Sequence, residues 1–259
     1  MASRKTRKIA VANEKGGVGK TATIVNLGAA LALKGNKVLI VDMDPQFNAT
    51  QGVGISLDDI SLSVYDLIQG SSDIEPTDVV LHTRWEGLDL LPSVPDLAGS
   101  EVELVGAAGR ENRLREGLDG LDGHYDYILL DTPPSLSLLT VNVFAYANEV
   151  LVPCQTHPYA FGALNELFDT IGAIRRGINT DLETTGVVAT FYDRRTRVSS
   201  HTLERLKSDE RYGPLLFDTV IRSNTTVAES AYAGKPVVFY RSSSFGARDY
   251  IQLAEELVD

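Results

Sequence analysis

Short apolar runs alternate along this chain with longer stretches of helical period, and that alternation predicts an α/β fold. Ile9, Val11 and their neighbours form an apolar, β-branched run of strand character. Three glycines interrupt it, and from Lys20 onward Ile24, Leu27, Ala30 and Leu31 recur at helical spacing. Residues 37–42, 87–92, 125–131, 148–153 and 184–191 read as further strands. Residues 37–42 are apolar on both faces, as in a parallel sheet covered by helices. Residues 63–68, 96–118, 162–176 and 245–258 carry the helical period. The expectation is one doubly wound, mainly parallel sheet with helices on both faces. It forms a single domain over residues 9–259, after a basic arm at residues 1–8.

The first strand, the glycine break and the first helix read K-I-A-V-A-N-E-K-G-G-V-G-K-T over residues 8–21. Gly-Lys-Thr at a strand-to-helix junction is the context of a phosphate-binding loop, so the fold is read as a P-loop NTPase. Gly16, Gly17 and Gly19 let the backbone turn its N–H groups toward phosphate oxygens. Val18 and Ala22 fall within the same nucleotide-binding stretch, and the helix N-terminus adds its dipole. Lys20 supplies a cation for the β- and γ-phosphates, and the Thr21 hydroxyl can ligate Mg²⁺. The plain alternative is a glycine-rich turn that binds nothing.

A second lysine, Lys15, opens the loop. On that residue the chain resembles the deviant Walker A ATPases, the class of ParA/Soj, MinD and the nitrogenase iron protein. In that class the extra lysine reaches the nucleotide bound by a partner subunit, so the resemblance implies an ATP-dependent sandwich homodimer. A solvated loop lysine is the alternative for Lys15.

Other segments extend the resemblance in order. Met43-Asp44-Pro45-Gln46-Phe47-Asn48 follows the second strand. The resemblance gives Asp44 the positioning or activation of the attacking water, whereas a helix cap is the alternative. Phe47 stands where these ATPases carry glycine. Asp131, at the end of an apolar strand and before Thr-Pro-Pro-Ser, reads as a Walker B carboxylate for Mg²⁺. Tyr192-Asp193-Arg194-Arg195-Thr196-Arg197 matches a ParA/Soj segment whose arginine contacts DNA, and Arg195 is the matching position. Arg194, Arg195 and Arg197 on one loop also suit phosphate chemically. A salt-bridged, solvated loop competes with that reading. Arg222 is a displaced counterpart of a second DNA-contacting arginine, and Thr190 and Ile221 are the resemblance's candidates for holding adenine. The helix expected at 96–118 matches one near the dimer interface that meets a stimulating partner, or else it is a simple cover helix.

Charge and cysteine content narrow the partners. Formal net charge is −11, which opposes an anionic partner overall. The distribution is uneven: residues 1–174 hold 12 Lys and Arg against 23 Asp and Glu, and residues 175–250 hold 12 against 9. An anionic partner is therefore expected at the C-terminal third, with Arg4, Lys5, Arg7 and Lys8 as a further basic segment. One cysteine, Cys154, allows no internal disulfide and suits a reducing cytoplasm. It also argues against an iron–sulfur role, which needs paired cysteines. No apolar run is long enough to span a bilayer.

The resemblance implies a ParA-type ATPase using ATP and Mg²⁺. It would dimerise with ATP, bind DNA without sequence preference and associate with the nucleoid in the cytoplasm. A ParB-like protein or cargo adaptor would stimulate hydrolysis, positioning a plasmid, a chromosome or a protein assembly. No membrane partner is expected. A MinD-like membrane-cycling ATPase is the second reading, but the acidic C-terminal helix suits anionic lipid poorly. A small-molecule kinase would have no use for Lys15.

Overall fold

The computed structural model describes residues 5–70 and 73–258. Eight strands form one sheet in the order β3-β4-β2-β5-β1-β6-β7-β8. They are β1 (Arg7–Val11), β2 (Val38–Asp42), β3 (Leu81–His82), β4 (Leu88–Leu91), β5 (Tyr127–Asp131), β6 (Glu149–Gln155), β7 (Glu183–Tyr192) and β8 (Leu216–Arg222). All neighbours run parallel except the short edge pair β3 and β4. β1 lies between β5 and β6. The chain leaves β1 for β2 on one side and later returns to β6 on the other. That reversal opens a crevice beyond the carboxyl ends of the strands.

Alternation along the strands splits the core between the two faces. Ile9, Val11, Val38, Ile40 and Leu129 pack on one face, together with α1 (Lys20–Leu33) and the chain's closing helix, Phe245–Val258. Ala10, Leu39, Val41, Ile128 and Leu130 pack on the other. That second face is covered by the 63–68 segment, here helix Val64–Gln69, and by helices α2 (Leu138–Tyr146) and α3 (Ala160–Gly177).

Two expectations are corrected. Residues 96–118 do not form one helix. The segment breaks into a 3₁₀ turn at Pro95–Gly99, a single turn at Ser100–Glu103, and short turns at Arg110–Asn112 and Arg113–Gly117. Gly109 adopts φ 70°, a left-handed conformation that ends helical propagation and that glycine accepts at little cost. The second correction concerns the basic arm. Arg7 and Lys8 belong to β1, where Arg7 pairs with Glu149 at 2.6 Å and Lys8 with Asp122 at 2.7 Å. Arg4 lies outside the described residues. The Arg7 pair forms because parallel pairing of β1 with β6 brings Ile9 level with Glu149.

Candidate nucleotide-binding site

The site forms where three strand ends meet in register: Val11 of β1 and Asp42 of β2 both lie level with Asp131 of β5. The phosphate loop leaves β1 here. Gly17 and Gly19 take φ 75° and 92°, and a Cβ on Gly19 would meet Phe191 Cε2 at 3.3 Å. α1 follows with no side-chain cap and no acidic residue in its first turn. Its first amides therefore face the loop without an internal acceptor, the arrangement that favours an anion.

Buried polar groups hold the loop from beneath. Asn13 donates from Nδ2 to Pro153 O at 2.8 Å, and its Oδ1 accepts from Lys15 N at 3.0 Å. Lys20 Nζ donates to Asn13 O at 3.0 Å. Burial pulls the Lys20 pKa below the ordinary lysine value, while Asp131 and then Asp44 pull it back. The two lysines differ. Among the described residues, no acceptor takes the half-buried Lys15 ammonium. Nothing in the sequence marks Asn13, because an asparagine after a strand is an ordinary turn residue until its partners on β6 are seen.

Two buried carboxylates face each other across the strand ends. Asp131 Oδ1 accepts from Thr132 N at 3.0 Å, whereas Oδ2 has no hydrogen-bond partner among the described residues. Burial, and then the charge of Asp42, push the Asp131 pKa well above the carboxylate range; the Thr21 hydroxyl and Lys20 act in the opposite sense. A desolvated carboxylate with an orphan oxygen beside a threonine hydroxyl and a lysine is a donor set that a hard divalent cation would satisfy. The residues present therefore fit Mg²⁺ at Thr21 and Asp131.

Asp42 is a second residue the sequence did not single out. Its pKa rises to about 6, chiefly from burial. Its carboxylate accepts from Thr50 N and Thr50 Oγ1, both at 2.8 Å, and from Asp44 N at 3.2 Å. Ser93 Oγ donates to Asp44 O at 2.8 Å. Asp42 thus fixes the loop that presents Asp44. The only signal in the sequence is an aspartate two positions before Asp44, ending an otherwise apolar strand.

Asp44 is not a helix cap. Its Oδ1 accepts from Gln46 N at 2.9 Å, closing a turn, and the next helix starts only at Asn48, after Phe47. Asp44 is 7% exposed and close enough to Lys20 and Asp131 to act on both. Phe47 sits at φ 45°, a left-handed conformation that L side chains adopt at a cost of about 1–2 kcal/mol. Phe47→Gly is therefore expected to stay within about 1 kcal/mol of the native stability, whereas Phe47→Val should destabilise by about 1–3 kcal/mol. Chemical denaturation of both variants checks this, and equal losses would show that the ring's packing outweighs its backbone.

The candidates at the ends of β7 and β8 have mixed fates. Thr190 is buried and its hydroxyl donates to Val18 O at 2.8 Å, so it clamps the phosphate loop. Ile221 is packed in the core, 5% exposed. The accessible cleft, about 450 Å³, is instead lined by the residues that follow them, among them Tyr192, Ser223 and Asn224. Arg194, Arg195 and Arg197 are exposed. Arg195 folds back onto Asp193, with Nε to Oδ1 at 2.9 Å and a second guanidinium nitrogen to Oδ2 at 2.8 Å. That pairing holds the Asp193 pKa down to about 2. The pair is exposed, so an incoming phosphate can replace the carboxylate at little cost. Arg222 is more firmly held. Its Nε donates to both oxygens of the buried Asp249, and its guanidinium lies 4.3 Å from the centre of the Phe245 ring.

Residues 6–184 match the family model described as an AAA domain. The chain is 42% identical to the sporulation initiation inhibitor protein Soj of Bacillus subtilis, over 96% of this chain and 97% of that protein. It is 40% identical to the chromosome partitioning protein ParA of Caulobacter vibrioides, over all of this chain and 96% of that protein. The chain belongs to the ParA/Soj family of P-loop ATPases. A Mycobacterium smegmatis protein named as cobyrinic acid a,c-diamide synthase, solved with an ATP analogue and magnesium, shares the fold. Its TM-score is 0.83 at 36% identity, over 98% of this chain and 94% of that one. The sheet with helices on both faces is the fold of P-loop NTPases. Among the described residues, no helix is long and apolar enough to cross a membrane.

Proposed function

We propose that this protein is a partitioning ATPase whose ATP-bound dimer binds DNA without sequence preference and releases it on hydrolysis. The observation that carries this reading is a shared anchor. Thr190 holds Val18 of the phosphate loop, and two residues later β7 gives way to the exposed arginine loop at 193–197. Asp193 N is itself fixed by Ser199 Oγ at 3.0 Å. Nucleotide site and cationic surface are built on one strand end, so a change at the first is felt at the second.

In the active site, the loop amides, Lys20 and the α1 N-terminus bind the phosphates of ATP. Thr21 and Asp131 would hold Mg²⁺, which neutralises charge on the β- and γ-phosphates when bound. Asp44, fixed by Asp42 and Ser93, orients the attacking water. Lys15, which has no partner among the described residues, reaches the nucleotide of the second subunit and makes dimerisation depend on ATP. The cargo partner is a ParB-like protein or adaptor that speeds hydrolysis.

Arg195→Glu tests the DNA half of this reading. ATP-dependent dimerisation should persist, while mobility shifts of a non-specific duplex disappear. Native binding should require ATP and weaken steeply with salt, because each neutralised phosphate adds about 0.9 to the log–log slope. Arg222→Glu should do less, since Asp249 already engages that guanidinium. Undiminished binding by Arg195→Glu would place the DNA surface elsewhere.

A further inference from the structure

Beyond the arginine loop the chain enters helix α4 (Arg197–Ser208). Arg197, His201 and Arg205 recur at intervals of four, so they lie on one face. All three are exposed, and they line a single cleft with Pro158, Phe161 and Val198. The Arg205 guanidinium sits 4.1 Å from the centre of the Phe161 ring. Among the described residues, no carboxylate pairs with Arg197 or Arg205. Glu204 flanks the row and Lys207 lies further round the helix. Leu203 and Leu206, the helix's apolar side, are already buried against the core.

We propose that this row is a second phosphate-contact track, along which α4 follows the backbone of duplex DNA away from the arginine loop. The proposal rests on the DNA-binding reading above and deepens it. From Arg197 to Arg205 the helix rises about 12 Å, enough to set the two guanidinium groups on different phosphates of one strand. Arg197 and Arg205 thus contact phosphates at the two ends of the row, with the His201 ring N–H as a donor between them. Stacking on Phe161 holds the Arg205 guanidinium in place before binding and so reduces the freedom it loses. DNA is favoured over a lipid surface because Leu203 and Leu206 are buried and the exposed row of the helix is cationic.

The test is fluorescence anisotropy of a non-specific duplex at a series of salt concentrations, with Mg²⁺ and a non-hydrolysable ATP analogue. The native protein, Arg205→Ala, Arg205→Lys and Arg195→Glu are compared. Arg205→Ala should weaken binding roughly tenfold and lower the log–log salt slope by about 0.9 per subunit. Arg205→Lys, which keeps the charge and loses the planar stack, should retain the native slope. An unchanged slope in Arg205→Ala, while Arg195→Glu loses binding, overturns the track and leaves the arginine loop intact as a reading. Equal slope losses in Arg205→Lys and Arg205→Ala assign the residue to packing and also overturn it. If the native protein binds no duplex but does bind phosphatidylserine vesicles, the track falls together with the reading beneath it.

Discussion

Asp44→Ala is expected to retain ATP and to lose hydrolysis by about 10²–10⁴-fold. The backbone that carries Asp44 does not depend on its carboxylate. The peptide N–H is held by Asp42, and the carbonyl by Ser93. Truncation removes one acceptor, that of Gln46 N, and leaves the phosphate loop with Lys20, Thr21 and Asp131 in place. A variant that binds but does not turn over should accumulate as the ATP-bound dimer. Lys20→Ala should behave in the opposite way, losing nucleotide binding itself, because the buried ammonium is the cation held over the loop by Asn13. Equilibrium binding of a fluorescent ATP analogue, set beside phosphate release, separates the two. Hydrolysis at the native rate by Asp44→Ala, with the stimulating partner present, would reduce Asp44 to a turn residue.

Lys15→Ala should bind ATP within a fewfold of the native protein yet fail to dimerise on it. Lys20 has an internal acceptor within its own loop, whereas among the described residues Lys15 has none. If the Lys15 ammonium reaches the other subunit's phosphates, removing it costs each interface about 2–5 kcal/mol, since two desolvated charges lose their partners. Sedimentation with ATP and with ADP is the direct measurement. The native protein should dimerise with ATP alone, and the variant should sediment as a monomer with either nucleotide. Normal dimerisation and normal turnover in Lys15→Ala would return it to the status of a solvated loop lysine.

These two lysines, with Asp44, Asp131 and Thr21, are legible in the amino-acid sequence alone. Their chemistry is local. A phosphate loop is a contiguous run, and glycines, lysine and threonine must come in that order to wrap a phosphate. Six of the eight described strands are legible for the same reason, since burial on both faces writes itself as short apolar runs, whereas the edge strands β3 and β8 are not. The bounds of the closing helix, expected at 245–258, agree with Phe245–Val258. Where local signals conflict, the sequence misleads: the apolar spacing over 96–118 imitates a helix, but Gly109 denies it continuity.

The supporting groups become visible only in three dimensions. Asn13 matters through Pro153, 140 positions away, and Thr190 through Val18, 172 away. Ser93 reaches Asp44 across 49. Arg195 and Arg222 read alike as basic residues. The structure separates them, because one rests on a half-buried aspartate of its own loop and the other on the buried Asp249 of the final helix. The sequence by itself determined where the phosphate loop and its candidate residues lie, because that pattern is encoded in neighbours. Tertiary structure decided which residues hold them still and which cations remain open, because parallel strands bring distant segments level and burial makes an unpaired polar group costly.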